Sequence, residues 1–234
     1  MKNTSANDEA ALRRGMVDGA RRLVALGLNR GTSGNLGVRC GAGLLVTPSG
    51  VPVEAMTPES MVALDFSGNA QGAFTPTSEW RIHRDILMAH PEAGAVLHAH
   101  SPFATALACH RRDIPAFHYM IARFGGSDIR CAPYATFGTQ ALSDGALAAL
   151  EGRSACLLAN HGMLVFGADL RSTLALAIEF ETLCEHYWRA CQLGTPSILS
   201  EAEMAEVMIR FTTYGKPQPA SAPPPDAAPR DDQA

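Results

Sequence analysis

Short apolar runs, each closed by glycine or a polar loop, alternate along this chain with stretches whose hydrophobic residues recur at helical spacing. That rhythm restricts the fold more than any other feature, because it demands a sheet whose strands are covered by crossing helices. Leu12, Met16, Ala20, Leu23 and Val24 keep a helical period through residues 8–26, and Gly27 stops it. Leu36–Cys40 and Leu44–Thr47 read as strands joined in a hairpin through Gly41-Ala42-Gly43. Met61–Phe66 reads as another strand, ended by Ser67-Gly68-Asn69. Trp80, Ile82, His83, Ile86 and Leu87 predict a helix capped by Thr77 or Ser78, with Glu79 in its first turn. Ala95–His98 is a strand that runs into a helix started by Ser101-Pro102. Ala155–Ala159 and Met163–Phe166 are extended on either side of Asn160-His161-Gly162. Asp169 caps a long helix to about Gln192, whose apolar stripe breaks at Glu181, and Ser200 with Glu203 forms a capping box for a last helix. Hairpins mixed with strand–helix alternation imply a mixed sheet covered by helices, with long functional loops.

A chain of 234 residues, 47% hydrophobic, has enough apolar surface for one full-sized core. We expect a single domain over residues 1–215. From Lys216 onward proline, alanine and charged residues dominate, so 216–234 is expected to be a disordered tail. Net charge is −4, and the densest basic group, Arg13, Arg14, Arg21 and Arg22, falls on the solvent side of the first helix. This lacks the concentrated basic face that nucleic-acid binding requires. No apolar run approaches membrane-spanning length and no signal-peptide apolar region is present, which points to a cytoplasmic protein. Six cysteines without Cys-x-x-Cys spacing read as buried free thiols.

The histidines separate into two groups. His83, His90, His110, His118 and His186 lie in or near helical stretches and read as surface or satisfied core residues. His98 and His100 stand two apart in an extended segment, so both imidazoles share one face where a strand ends. His-x-His also arises without function. His161, however, ends another apolar strand beside Asn160 and Gly162; if the two strands are neighbours, three imidazoles converge on a site suited to zinc, with coordination left open for substrate or a carboxylate.

Three segments offer donors to a phosphate ester: Gly31–Asn35, Thr47-Pro48-Ser49-Gly50, and the helix start at Thr77 and Ser78. Each also reads as an ordinary turn or cap. The first is neither a P-loop, since no Gly-Lys-Ser/Thr follows, nor a dinucleotide fingerprint, since it follows a helix. Glu79 suits a first helical turn on dipole grounds alone. A carboxylate beside both a metal and a phosphate ester could also ligate the ion and then exchange a proton with substrate.

The stretches LGLNRGTSGNLGVR, LLVTPSG, TSEWRIH, VLHAHSPFATA, IPAFHYMIARFGGSDIRCAPYATFGTQ, NHG and FTTYG resemble class II aldolases of the aldolase/adducin superfamily, most closely the L-fuculose-1-phosphate aldolase branch. The resemblance runs from residue 26 to 215. It implies a three-layer αβα sandwich with a mixed, largely antiparallel central sheet, and a homotetramer with active sites between subunits. It also implies zinc or another divalent transition metal on His98, His100, His161 and Glu79, with Glu79 as general base. Phosphate contacts are implied for Gly34, Asn35, Ser49, Gly50, Thr77 and Ser78. A neighbouring subunit's Tyr119 and the C-terminal Tyr214 are implied as catalytic groups, and Phe137 as a lining of the aldehyde region. Relative to that branch, Ser49 and Thr77 exchange one hydroxyl residue for another, Gly37 replaces serine, and the chain beyond Gly215 is longer.

The implied activity is cleavage of a ketose 1-phosphate, such as L-fuculose 1-phosphate, to dihydroxyacetone phosphate and an aldehyde such as L-lactaldehyde. Lys2 and Lys216 are the only lysines, and both are terminal, which argues against an imine mechanism. Rival readings are a 5-deoxypentulose-1-phosphate aldolase, a sugar-phosphate epimerase, decarboxylase or dehydratase on the same scaffold, and a non-catalytic interaction domain like the adducin head.

Overall fold

The structure, a computed structural model, describes residues 6–213. Tyr214 and the expected tail 216–234 lie outside the described residues. In chain order the elements are α1 (Ala6–Ala25), β1 (Asn35–Cys40), β2 (Gly43–Val46), β3 (Val62–Asp65), β4 (Ala70–Gln71), α2 (Trp80–Ala89), β5 (Ala95–Ala99), α3 (Pro102–Ala108), β6 (Cys131–Ala132), α4 (Gln140–Ala149), β7 (Ala155–Leu158), β8 (Gly162–Gly167), α5 (Leu170–Leu193) and α6 (Glu201–Phe211). One sheet runs in the order β4-β3-β2-β1-β5-β8-β7-β6. Its pairings are antiparallel except for β6 with β7, which is parallel. The hairpin between β1 and β2 closes with Cys40 opposite Gly43, and Gly41 supplies the positive φ that the tight turn needs.

Alternation along the strands divides the core into two layers. Leu36, Leu97, Leu157 and Val165 pack with Met16 and Leu23 of α1, Ala104 of α3 and Phe180 of α5. Val96, Cys156 and Leu164 point the other way, onto Ile82 and Ile86 of α2 and Leu142 and Ala146 of α4. The result is the three-layer αβα sandwich with a mixed, mostly antiparallel sheet that the resemblance implied.

Two helix starts depart from expectation. α2 begins with Glu79 itself at the N-cap, two residues later than a Thr77 cap and one later than a Ser78 cap would place it, and the Glu79 side chain makes no capping bond. The Thr77 hydroxyl instead faces the Glu79 amide at 3.4 Å. At α3, Ser101 holds the N-cap position without capping. Its hydroxyl donates to Glu181 of α5 at 2.6 Å, and the same carboxylate accepts the Phe103 and Ala104 amides at 2.7 and 2.9 Å. The break in the α5 apolar stripe is thus a cap delivered from another helix to the orphan amides of α3. By contrast, Asp169 with Ser172 and Ser200 with Glu203 form capping boxes within their own helices.

Residue patterning gave no sign of α4, where Gly145 and a run of small residues blur the amphipathic signal, although Thr139 caps it through the Leu142 amide. The cysteines are unpaired, as expected, but only Cys156 and Cys184 are buried; Cys109 and Cys191 are exposed. No described helix is long and apolar enough to cross a membrane.

Candidate active site

His98 is buried in β5, and His100 follows that strand. His161 does not sit on a strand beside β5. It lies in the turn between β7 and β8, and β8 is the strand that pairs with β5, setting Ala99 opposite Met163. The turn bends at Asn160, whose φ of 53° is left-handed, a conformation that asparagine tolerates better than most residues. Convergence therefore comes from the β8 register. The three imidazoles stand with ring centroids 4.7–4.9 Å apart, and one ligand atom from each lies within 4.8 Å of the others.

Glu79 closes the cluster from the start of α2. Its carboxylate is only 4% exposed, and its oxygens approach Nε2 of His98 and Nε2 of His161 at 3.3 Å each. These contacts lack hydrogen-bond geometry. Among the described residues, Oε1 of Glu79 and Nε2 of both His98 and His100 are buried without a hydrogen-bond partner. Such groups are costly unless something else satisfies them. His98 shows which way its ring is set: Nδ1 is 2.9 Å from the Met163 carbonyl, which can only accept, so the proton sits on Nδ1 and the Nε2 lone pair faces the cluster.

Burial, reinforced by the neighbouring His100, pushes the His98 imidazole down to about 3. Burial and His98 push His161 down to about 4 against the opposing pull of Glu79, and burial lowers His100. All three are therefore neutral near pH 7, the form that binds a cation. A trio of neutral nitrogens with a buried carboxylate fits a divalent transition metal.

A cavity of about 330 Å³ opens from this cluster. Gly34, Asn35, Ser49, Gly50, Thr77 and Ser78, the expected phosphate contacts, all line it, together with Glu79, His100, His161 and Phe137. Backbone pairing gathers the donor segments. The Thr77 amide donates to the Thr47 carbonyl at 3.0 Å and the Ser49 amide to the Thr75 carbonyl at 2.9 Å, so the Thr47–Gly50 loop is zipped to the approach to α2. Asn35 faces His98 across the β1–β5 ladder, and its amide donates to Glu79 Oε2 at 2.8 Å.

Several residues at the site carry little local sequence signal of a functional role. Buried Asn29 holds the Gly34 amide at 3.0 Å, and a Cβ at position 34 would come within 2.7 Å of its side chain. Tyr134 and Asn160 also line the cavity, and Arg111, also in a left-handed conformation, bonds to Asn160 Oδ1 at 2.5 Å while its guanidinium lies over the Tyr134 ring. A glycine before the β1 strand and an asparagine between two apolar runs, just before His161, were the available signals. His83, read as a surface or satisfied core residue, is fully buried with one nitrogen bonded and the other not.

Tyr119 is not among the cavity-lining residues. It is 50% exposed and lines a separate hollow with Met120, Val207, Arg210 and Phe211.

Three neutral imidazoles, one of them fully buried, with a buried carboxylate at the strand ends of a three-layer sandwich and opening on a hydroxyl-lined cleft, define a metal-dependent enzyme for an anionic substrate. Residues 14–188 match the family described as Class II Aldolase and Adducin N-terminal domain. Identity is 53% over 214 residues to the 5-methylthioribulose-1-phosphate/5-deoxyribulose-1-phosphate aldolase of Rhodospirillum rubrum, covering 92% of this chain and 97% of that one. To the L-fuculose phosphate aldolase of Escherichia coli it is 42% over 205 residues, covering 87% and 95%. Among solved structures, an L-fuculose 1-phosphate aldolase superposes with a TM-score of 0.84 at 35% identity, over 91% of this chain and 100% of that chain. The chain belongs to the class II aldolase/adducin superfamily and is closely related to its L-fuculose-1-phosphate aldolase members.

Proposed function

We propose that the chain reversibly cleaves a ketose 1-phosphate to dihydroxyacetone phosphate and an aldehyde, with zinc as its metal. The observation that carries this reading is the set of buried, unpartnered ligand atoms on His98, His100 and Glu79 at the inner end of a hydroxyl-lined cavity. His98, His100 and His161, with Glu79, would hold the metal. When bound, a divalent ion supplies Lewis-acid stabilisation of the negative charge that develops on the substrate's carbonyl oxygen.

The chain's own groups do the rest. Asn35, Ser49, Gly50, Thr77 and Ser78 anchor the phosphate and so place the C3–C4 bond near the carboxylate. Cleavage requires the C4 hydroxyl to lose its proton as the C3–C4 bond breaks, and C3 of the three-carbon fragment to gain one. Glu79 is suited to the C3 exchange, because its buried carboxylate already faces the cluster. The exposed Tyr119, remote from this cavity within its own chain, is assigned to the C4 hydroxyl of a neighbouring subunit's substrate, in a homotetramer with shared sites. Tyr214 is assigned to the aldehyde side.

Tyr134, Ala135 and Phe137 add an aromatic and apolar lining to the cavity, with Tyr134 and Phe137 exposed at the surface. We assign it to substrates that end in a non-polar group. We rank 5-methylthioribulose 1-phosphate and 5-deoxyribulose 1-phosphate ahead of L-fuculose 1-phosphate, a ranking supported by the higher identity to the Rhodospirillum enzyme. A panel of these phosphates, scored for dihydroxyacetone phosphate release, tests both statements. Release from none of them would overturn the aldolase reading, and a faster rate with L-fuculose 1-phosphate would overturn the order.

A further inference from the structure

We infer that His83 is a positioning residue: acting through Asn35, it sets the direction in which Glu79 presents its carboxylate to the three imidazoles. The inference deepens the metal-site reading above and rests on it. His83 lies on α2, one turn beyond Glu79, and is fully buried. Its Nε2 is 2.5 Å from Asn35 Oδ1, and Asn35 Nδ2 donates to Glu79 Oε2 at 2.8 Å.

The chemistry of the acceptors fixes every direction in this chain. A carboxylate only accepts, so Asn35 turns its NH2 toward Glu79 and its carbonyl toward His83. That carbonyl also only accepts, so His83 carries its proton on Nε2. The consequence is visible on the opposite side of the ring, where Nδ1 is buried without a hydrogen-bond partner among the described residues. An aliphatic side chain would fill this space without stranding a nitrogen. What the imidazole supplies in exchange is one donor, aimed at Asn35.

Strand β1 makes room for that ring. Gly37 lies two residues past Asn35, so it shares the same sheet face, and a Cβ there would sit 2.7 Å from Cβ, Cγ and Nδ1 of His83. The glycine that replaces serine therefore lets the imidazole stand against the strand and reach Asn35. Without the His83 donor the Asn35 side chain keeps only its Nδ2 contacts, to Glu79 Oε2 and to the Ser33 carbonyl at 3.4 Å, so its carbonyl end is no longer fixed and Glu79 Oε2 loses a partner oriented from both sides. Oε1, which faces His161 at 3.3 Å, then loses its aim.

The test is zinc affinity of the full chain, measured by chelator competition, for the wild type, His83→Met, His83→Gln, Asn35→Ala and the double variant His83→Met/Asn35→Ala. Outer-shell partners typically change metal affinity by about 10–100-fold. His83→Met should weaken binding roughly tenfold, whereas His83→Gln, which keeps a donor at similar reach, should stay within about threefold. The double variant should bind no more weakly than Asn35→Ala alone, because a single chain of contacts has then been cut once. Multiplying losses in the double variant, or equal losses for His83→Gln and His83→Met, would overturn the proposal. If His83→Met does not fold, His83→Gln decides alone: near-wild-type affinity upholds the role, and a tenfold loss ends it. A wild-type chain that binds no zinc sinks the metal reading itself, whereas one that binds zinc without this coupling sinks only the role of His83.

Discussion

The two ends of the cavity are built in different ways. At the inner end His98 is 1% exposed within β5, Asn35 sits opposite it in the ladder, Glu79 is fixed where α2 begins, and His161 is set by the short turn between the paired strands β7 and β8. At the outer end Tyr134 and Phe137, 57% and 65% exposed, hang on the connection between β6 and α4. That segment is tied down by Gly138, whose carbonyl accepts from Arg81 of α2 at 2.9 Å, and by Arg111, which bonds to Asn160 and lies over the Tyr134 ring. The contrast separates two tasks. The part that must hold a cation and a phosphate is over-determined by register, while the part that meets the variable end of a substrate is left to loops, where change is tolerated.

The largest expected effect falls on the inner end. His98→Ala should lower cleavage by about 10³-fold or more and strip bound metal, since Lewis-acid stabilisation is worth several kcal/mol; metal analysis alongside a dihydroxyacetone phosphate assay reads both, and full activity in the variant would dissolve the contrast. Tyr119→Phe should slow C–C cleavage by roughly 10²-fold while sparing proton exchange at C3 of dihydroxyacetone phosphate. Equal losses in cleavage and isotope exchange would place Tyr119 at the inner end's chemistry instead.

Next in size is an effect of acid on the metal-free protein. His83, His98 and His161 are held down to about 3, 3 and 4, below the ordinary histidine value of 6.5. The unfolded chain therefore takes up protons below about pH 6.5 that the folded chain refuses. Stability should be at full strength above that pH and fall as pH drops toward 4, by at most ~1.4 kcal/mol per pH unit for each such histidine. Thermal melts across that range check the sign; a melting temperature that rises on acidification would contradict it. The smallest effect belongs to the outer end. Phe137→Ala should change the ratio of kcat/KM between methyl-ended and methylthio-ended substrates by roughly tenfold and leave metal content unaltered. A loss of bound metal in that variant would show that the two ends are not separable.

Much of the inner end was legible in the chain, for definite reasons. Two residues of separation in an extended run places His98 and His100 on one face whatever the fold, and glycine with asparagine around His161 marks an opening loop. What could not be read locally was the register between β5 and β8, a long-range pairing on which the convergence depends. Glu79 was visible as an acid at a helix start, but whether it caps the helix or turns away is decided by the imidazoles it meets. For His83 the sequence left surface and core open, because a buried imidazole and a surface one repeat at the same helical spacing; only the Gly37 cradle and the Asn35 contact tell them apart. Of the outer end only Phe137 was legible, through family resemblance, and Tyr134 was not. Tyr134 and Phe137 sit in a stretch without periodicity, and no local pattern fixes where Tyr119 faces.

Glu181 carries one more implication. Its carboxylate grips the segment just beyond His100, yet it belongs to α5, on the sheet face opposite α2. The imidazole cluster is thus moored to both outer layers of the sandwich, by Glu79 from the front and by the longest helix from behind. A disturbance along α5, remote from any substrate, has a short mechanical route to the loop that carries His100.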